Sequence, residues 1–409
     1  MSVTFIPGGV TAPKGFRAAG EHLGVRRNRD KRDVALIVSD HRAAAACCYT
    51  QNLVKGAPIT ATMENLSDGY AQAVICNSGN ANTCNANGMD IARGMCQLVE
   101  RHTGVAALDV IVASTGVIGQ EMSLEPFAKG MGMLAAALSP SQEGGRAAAQ
   151  AIMTTDTVVK EAAVSFLLGG KPCVLGGIAK GSGMICPNMA TMLCFLTTDG
   201  AVAPAVLQQA LSGVVKDTFN MLSVDGDTST NDMVSLMANG AAGNALLEEA
   251  AGSDYEVLVE ALGAVCETLC RMMAKDGEGA TKLVTCTVSG AKTVEIAKVC
   301  AKSVIKSSLV KAALFGADAN WGRVLCALGY AGANIDVARI DVDFASPQGA
   351  LAVCRGGAGI PFDEDAAKAV LGADEINILV ALHSGQAAAT AWGCDLTYDY
   401  VRINGDYRT

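Results

Sequence analysis

Large rings are scarce in this chain. Phe, Tyr and Trp make up 4% of its 409 residues, although half the residues are hydrophobic and 45 are glycine. A core with so few rings must be filled by small aliphatic side chains, which calls for close helix–sheet packing and many tight turns. Histidine is scarce too: the four residues His22, His41, His102 and His383 stand far apart. No HxxxH, CxxC or Cys–His spacing occurs, so neither a zinc site nor any other metal is expected. A Ser–His–Asp triad has no signature either, because "STGVIG" holds no G-x-S-x-G elbow and no histidine lies in a glycine-rich loop.

Positive charge is in short supply. Lys and Arg number 31 against 40 Asp and Glu, a net charge of −9 with a pI near 5.0. Without a basic field to neutralise phosphates, nucleic acid is not expected as a partner. One uncharged run, Gly181 to Thr198, is long enough to test as a membrane span. It contains Ser182, Pro187, Asn188 and three threonines, so no membrane association is expected. The start, "MSVTFIPGGVTAPKGF", has neither the basic and apolar regions of a signal peptide nor an Arg/Ser-rich amphipathic pattern. Fifteen cysteines are an odd number, scattered, with Cys76, Cys194, Cys300 and Cys326 in apolar runs. They read as buried small hydrophobes of a soluble cytoplasmic protein rather than as a disulfide framework.

The length exceeds one ordinary core, and two domains are expected, with a smaller α/β unit beginning at about residue 283. No internal repeat or low-complexity tract stands out. Strand-like runs at 34–38, 73–76 and 110–113 alternate with helix-like runs at 89–101 and 124–138. Two of these strands open onto "NSGNANTCNANG" and "STGVIG", compositions that bring backbone N–H groups close to a ligand. "EAAVSFLL" and "KPCVLGGIAK" read as a hairpin, "PAVLQQALSGVVKDTFNML" and "DYEVLVEALGAVCETLCRMMAK" as helices, and "LVTCTVSG" as a strand. Beyond it, helices are expected at 293–303 and 320–331, strands at 338–344 and 376–383, and a terminal antiparallel run. The class is α/β in the mixed α+β sense, layered sheets flanked by helices.

The stretch "GSGMICPNMATMLCFLTTDG", residues 181–200, is a breaker-laden loop ahead of a strand. Gly181, Gly183, Pro187 and Asn188 prevent a regular helix. From Met192 to Leu196 the chain reads as a strand buried on both faces. "GSGMIC" imitates a dinucleotide fingerprint, but Cys186 holds its sixth position and Pro187 follows where a helix should continue. The residues Asp225, Asp227, Ser229, Asn231 and Asp232 space their oxygens like a calcium loop, yet lack its sixth-position glycine and twelfth-position glutamate. An Asx-turn that braces the site fits them better. With histidine set aside, Thr191 offers a nucleophile. As a new amino terminus it would carry its own base, an α-amino group of pKa about 7.7–8.0. That requires cleavage after Ala190, by attack of the hydroxyl on the preceding carbonyl. On these residues alone, a β-branched residue that begins a strand is the commoner reading.

Taken together, the motifs resemble one family. "FIPGGVTAPKGF", "NSGNAN", "STGVIG", "MTTDT", "KGSGMICPNMATMLCFLTTDG", "SVDGDTSTND", "DGEGATKL", "ADANWGRVLCALGYAG" and "YVRINGDYRT" fall in the order of the ornithine acetyltransferases. These are the glutamate N-acetyltransferases (ArgJ) of cyclic arginine biosynthesis, and the resemblance covers the whole chain. It implies an N-terminal-nucleophile fold, aminopeptidase/ornithine acetyltransferase-like, with a catalytic domain 1–282, a smaller α/β domain 283–400 and a tail 401–409 returning to the site. It also implies a precursor cut between Ala190 and Thr191 into an α chain 1–190 and a β chain 191–409, assembled as two α and two β.

The same resemblance makes Thr191 the acetyl carrier and Thr115 and Gly116 the oxyanion hole. Thr154, Lys180, Thr191, Glu278, Asn404 and Thr409 become substrate contacts. Substrates would be N2-acetylornithine and glutamate, with no cofactor. Acetyl-CoA as a further donor stays open, since members with and without it share these motifs. A cation for the substrate carboxylate (Lys180) and an anion for its ammonium (Glu278) suit an amino acid. The chain departs from the family in "TCNANG" after "NSGNAN", in Cys186 before Pro187, and in "NGDYRT" at the end. Two other functions stay open: an aminopeptidase of the related fold, which would hydrolyse, and an uncut binding protein for acylated amino acids.

Overall fold

The computed structural model describes residues 3–186 and 192–405. Small side chains set its architecture. Among the described residues, helices are layered with two sheets of nine and seven strands. Across the larger sheet the order is Val3–Ile6, Lys160–Leu168, Lys171–Lys180, Leu193–Thr198, Met233–Ala238, Val34–Tyr49, Tyr70–Asn80 and Val110–Val117. Phe16–Glu21 adds to Val34–Tyr49 beside this path.

Leu193–Thr198 lies inside this sheet, antiparallel to Lys171–Lys180 and parallel to Met233–Ala238. All six of its residues are buried. The two-residue period of a strand sends Leu193 and Phe195 into the core under helix Gln142–Ala151. Cys194 and Leu196 enter the opposite core, made with helices Pro204–Asp217 and Gly252–Lys275. Burial on both faces is therefore as expected. Glycine permits the close approach: a Cβ on Gly177 would lie 2.4 Å from Leu196 and 3.3 Å from Leu269.

The second sheet runs Ala358–Gly359, Gly349–Arg355, Asp341–Ser346, Glu375–Ala381, Leu283–Ala291, Ala387–Cys394 and Leu222–Ser223. Helix Val294–Lys306 packs on Leu283–Ala291 and Ala387–Cys394. The long helix Gly252–Lys275 touches strands of both sheets. One apolar cluster passes from Leu196 through Val265 and Leu269 to Val284 and Cys286, so the sheets share a core.

Most sequence-based elements are present, and the differences have physical reasons. The hairpin Lys160–Leu168 with Lys171–Lys180 is antiparallel throughout, as its two runs suggested. Strand Met233–Ala238 escaped the sequence reading because it is buried on both faces and shows no alternation. The strand expected from 338 begins at Asp341, after a tight turn at Val337–Arg339. The helix expected from 320 starts at Trp321, because Asn320 caps it, its side chain accepting from the Arg323 N–H at 3.3 Å. Cys326 is exposed on that helix, against the expectation of burial, while Cys76, Cys194 and Cys300 are buried. Burial pushes the Cys96 thiol up to about 12 and the Cys173 thiol to about 11, which leaves them small hydrophobes rather than nucleophiles. Among the described residues, no helix is long and apolar enough to cross a membrane.

Candidate active site

Five separate segments meet at one cavity of ≈ 300 Å³. Thr115 and Gly116 end the strand Val110–Val117, in register with Ser78 and Gly79 of the neighbouring strand. Gly116 has φ +130, and a Cβ there would lie 2.4 Å from the carbonyl carbon of Gly79, so only glycine fits. Thr154 follows helix Gln142–Ala151, and Lys180 ends the strand Lys171–Lys180. Glu278 sits in the turn after helix Gly252–Lys275, and Asn404 comes from the helix Tyr398–Gly405. All six line the cavity, together with Met184 and Met192. Ala190, Thr191 and Thr409 lie outside the described residues; the flanks at Met184 and Met192 both reach the cavity wall.

The acidic side of the site is held tightly. Asn404 Nδ2 donates to Glu278 Oε2 at 2.7 Å, and the Glu278 N–H donates to the Ser182 carbonyl at 2.9 Å. Glu278 packs so closely on Gly183 that a Cβ there would lie 2.3 Å from its carboxylate. Gly183 thus serves a close approach by an acid, and Gly181 a close approach by Ile185 and Met273, which explains why the fragment only imitates a nucleotide motif.

The basic side is a buried charge network that the sequence reading did not see. Lys160 Nζ lies 2.7 Å from Asp156 Oδ1 and 2.5 Å from Asp276 Oδ2, with all three side chains buried. Asp156 Oδ1 also accepts the Gly181 N–H at 2.7 Å, and its Oδ2 accepts the Thr154 N–H at 2.9 Å. One carboxylate therefore fixes the backbone at Thr154 and immediately after Lys180. Burial alone would push Asp156 up, but the ammonium groups of Lys160 and then Lys180 outweigh it and hold the carboxyl well below its ordinary range. Burial pushes the Lys180 ammonium down from the usual lysine value, and Asp156 opposes that shift. A buried lysine that faces a carboxylate it shares with another lysine can offer an ammonium to a substrate carboxylate. The clue available in the sequence was position: Asp156 stands inside "MTTDT", and Asp276 opens "DGEGATKL".

The polar loop at 225–232 braces the cavity. Asp225 accepts the N–H groups of Met184 at 2.6 Å and Ile185 at 2.8 Å, and the Tyr400 hydroxyl at 3.3 Å. Asn231 Nδ2 donates to the carbonyls of Ala81 and Ser114, and its Oδ1 accepts from Thr83. These bonds lock "SVDGDTSTND" onto "NSGNAN" and "STGVIG". Such an arrangement can position a small ligand bearing both charges between Lys180 and Glu278.

The ArgJ family model matches residues 17–409. The arginine biosynthesis bifunctional protein ArgJ of Caldanaerobacter subterraneus subsp. tengcongensis is 48% identical over 405 residues, 99% of each chain. That of Symbiobacterium thermophilum is 50% identical, over 99% of this chain and 100% of its own. A crystal structure of the Bacillus halodurans ArgJ protein, 45% identical, covers 52% of this chain and 97% of its own with a TM-score of 0.49. The chain belongs to the ArgJ family.

Proposed function

We propose that this protein is a self-processing acetyltransferase of arginine biosynthesis that moves acetyl from N2-acetylornithine to glutamate through acetyl-Thr191. The observation that carries this reading is the meeting of Thr115, Gly116, Thr154, Lys180, Glu278 and Asn404 at one cavity reached by Met192. Its volume is at the small end for ligand sites, a size suited to an acylated amino acid. The Thr191 hydroxyl attacks the acetyl carbonyl and the α-amino group of Thr191 takes the proton. The C–N bond breaks as that proton passes to the departing ornithine amine. The neutral α-amine of glutamate then attacks acetyl-Thr191, the C–Oγ bond breaks, and the amine's proton passes by way of the Thr191 α-amino group to the threonine oxygen. Both half-reactions exchange acetyl between similar α-amines, so one site serves both without a cofactor.

Lys180 holds the substrate carboxylate, Glu278 the free ammonium, and Thr154, Asn404 and Thr409 complete the contacts. In this reading residues 1–282 form the catalytic unit, 283–400 support it and 401–409 return to the site. The precursor yields chains 1–190 and 191–409, assembled as two of each, in the cytoplasm. Acetyl-CoA is a second donor, in keeping with relatives named bifunctional.

The test is transfer to glutamate by the purified protein, with acetylornithine or acetyl-CoA as donor; release of free acetate without N-acetylglutamate would make it a hydrolase instead. Thr115→Ala should lower kcat about 10²–10³-fold, the cost of one oxyanion donor. Unchanged kcat in a folded variant would place the oxyanion hole elsewhere. Glu278→Gln should impair ornithine and glutamate, which present a free α-ammonium, at least as much as acetylornithine, whose only ammonium is on its side chain. Equal KM values for all three in variant and parent would remove Glu278 from the ammonium site.

A further inference from the structure

A dense basic run stands out in this acidic chain. Residues 26–32 read Arg-Arg-Asn-Arg-Asp-Lys-Arg, five cations in seven positions of a protein with net charge −9. The fold places this run beside the candidate active site. Arg26, Arg27 and Lys31 line a second cavity of ≈ 410 Å³, which shares Gly116, Thr154 and Thr155 with the first. Among the described residues, no carboxylate lines it.

The loop has a fixed shape. The fully buried Asp33 carboxylate accepts the N–H groups of Leu23 at 2.6 Å, Gly24 at 3.1 Å and Arg26 at 3.0 Å. Its acid is thus engaged with the loop backbone rather than with Arg27 or Lys31. The Arg26 guanidinium donates to the carbonyls of Ser78 and Met153, which pins the loop over the strand that ends beside Gly116. Arg27 and Lys31 are exposed. Neither side chain is engaged in an ion pair or hydrogen bond among the described residues.

Cations presented to a concave surface attract anions, and guanidinium suits phosphate best. The α-carboxylate and an ammonium of the amino-acid substrates already have proposed partners, Lys180 and Glu278, in the first cavity. The second is far larger than a carboxylate needs, and it opens at the oxyanion end, where an acyl group must arrive.

We propose that the 26–32 loop and the second cavity bind the phosphate-bearing tail of an acyl thioester donor, delivering its acyl group past Gly116. This rests on the acetyl-transfer reading above. In the transfer, a bond forms between Thr191 Oγ and the acyl carbon, the C–S bond breaks, and sulfur leaves with the hydroxyl proton.

The experiment compares the parent enzyme with R27E/K31E and R27Q/K31Q, using acetyl-CoA or acetylornithine as donor and glutamate as acceptor. KM for acetyl-CoA should rise at least about tenfold in the charge reversal and less in the neutral variant. In the parent it should also rise with added salt, since exposed charges are screened. KM for acetylornithine and glutamate should stay within about twofold. An unchanged KM for acetyl-CoA overturns the proposal. So does a rise confined to glutamate, which would assign these cations to an amino-acid side chain. A parent enzyme that transfers from acetylornithine but neither uses acetyl-CoA nor is inhibited by coenzyme A overturns it while leaving the acetyl-transfer reading intact. Transfer from neither donor sinks both.

Discussion

Thr191→Ala should emerge from expression as a single 409-residue chain and show no acetyl transfer, a loss on the order of 10⁴-fold or more. Alanine removes the hydroxyl that, in the proposed mechanism, both opens the Ala190–Thr191 bond and carries acetyl. The parent should give two bands, and amino-terminal sequencing of the carboxyl-terminal one should read Thr-Met-Leu-Cys. Thr191→Ser keeps a hydroxyl and should still cut, more slowly. The variant should fold, because the strand Leu193–Thr198 is anchored by apolar cores on both of its faces. Full activity from an uncut parent chain would end the mechanism.

Lys180→Ala should raise KM for acetylornithine and glutamate together, since both carry the carboxylate that Lys180 is placed to hold. Removing one member of a desolvated charge pair costs about 2–5 kcal/mol, roughly 30- to several-thousand-fold in affinity. A solvated surface lysine would cost under about 0.5 kcal/mol. Lys180 is only 7% exposed, so the larger figure applies. The fold should survive, because Asp156 keeps Lys160 at 2.7 Å.

The parent should also show an alkaline limb. The protonated ammonium binds the carboxylate, so binding is complete below the Lys180 pKa and fades above it. Burial lowers that pKa, with Asp156 opposing, so KM should begin to rise at a pH below the ordinary lysine value of about 10.4. A KM for acetylornithine that is indifferent both to the substitution and to pH up to that value would show Lys180 to be no carboxylate anchor.

Much of the fold was legible because its signals are local. The long helix Gly252–Lys275 repeats apolar residues at three- and four-residue steps, and the 160–180 hairpin joins two apolar runs through a tight Gly169–Gly170 turn. The site motifs were legible as short strings in a fixed order. Strand Met233–Ala238 was not: it shows no alternation, and unlike the continuous apolar run 192–196 it is interrupted by Ser235. Cys326 was misread because an apolar run says how hydrophobic a segment is, not which side of its helix meets solvent. The network of Lys160, Asp156 and Asp276 was out of reach for a different reason: Lys160 and Asp276, 116 positions apart, are brought together by the fold alone.

The order of residues by itself determined the kinds of chemistry on offer. Isolated histidines give no triad signature, a threonine behind a breaker-rich loop offers a hydroxyl, and Lys180 and Glu278 supply opposite charges. Those are properties of residue types and close neighbours along the chain. Only the tertiary structure decided which carboxylate stands by which ammonium, that Gly183 lets Glu278 approach, and that the basic run at 26–32 overhangs the cavity. The physical reason is burial. The charge state and reach of Lys180 depend on how much water surrounds it and on Asp156 nearby, and both follow from segments that meet only when the sheets close on their shared core.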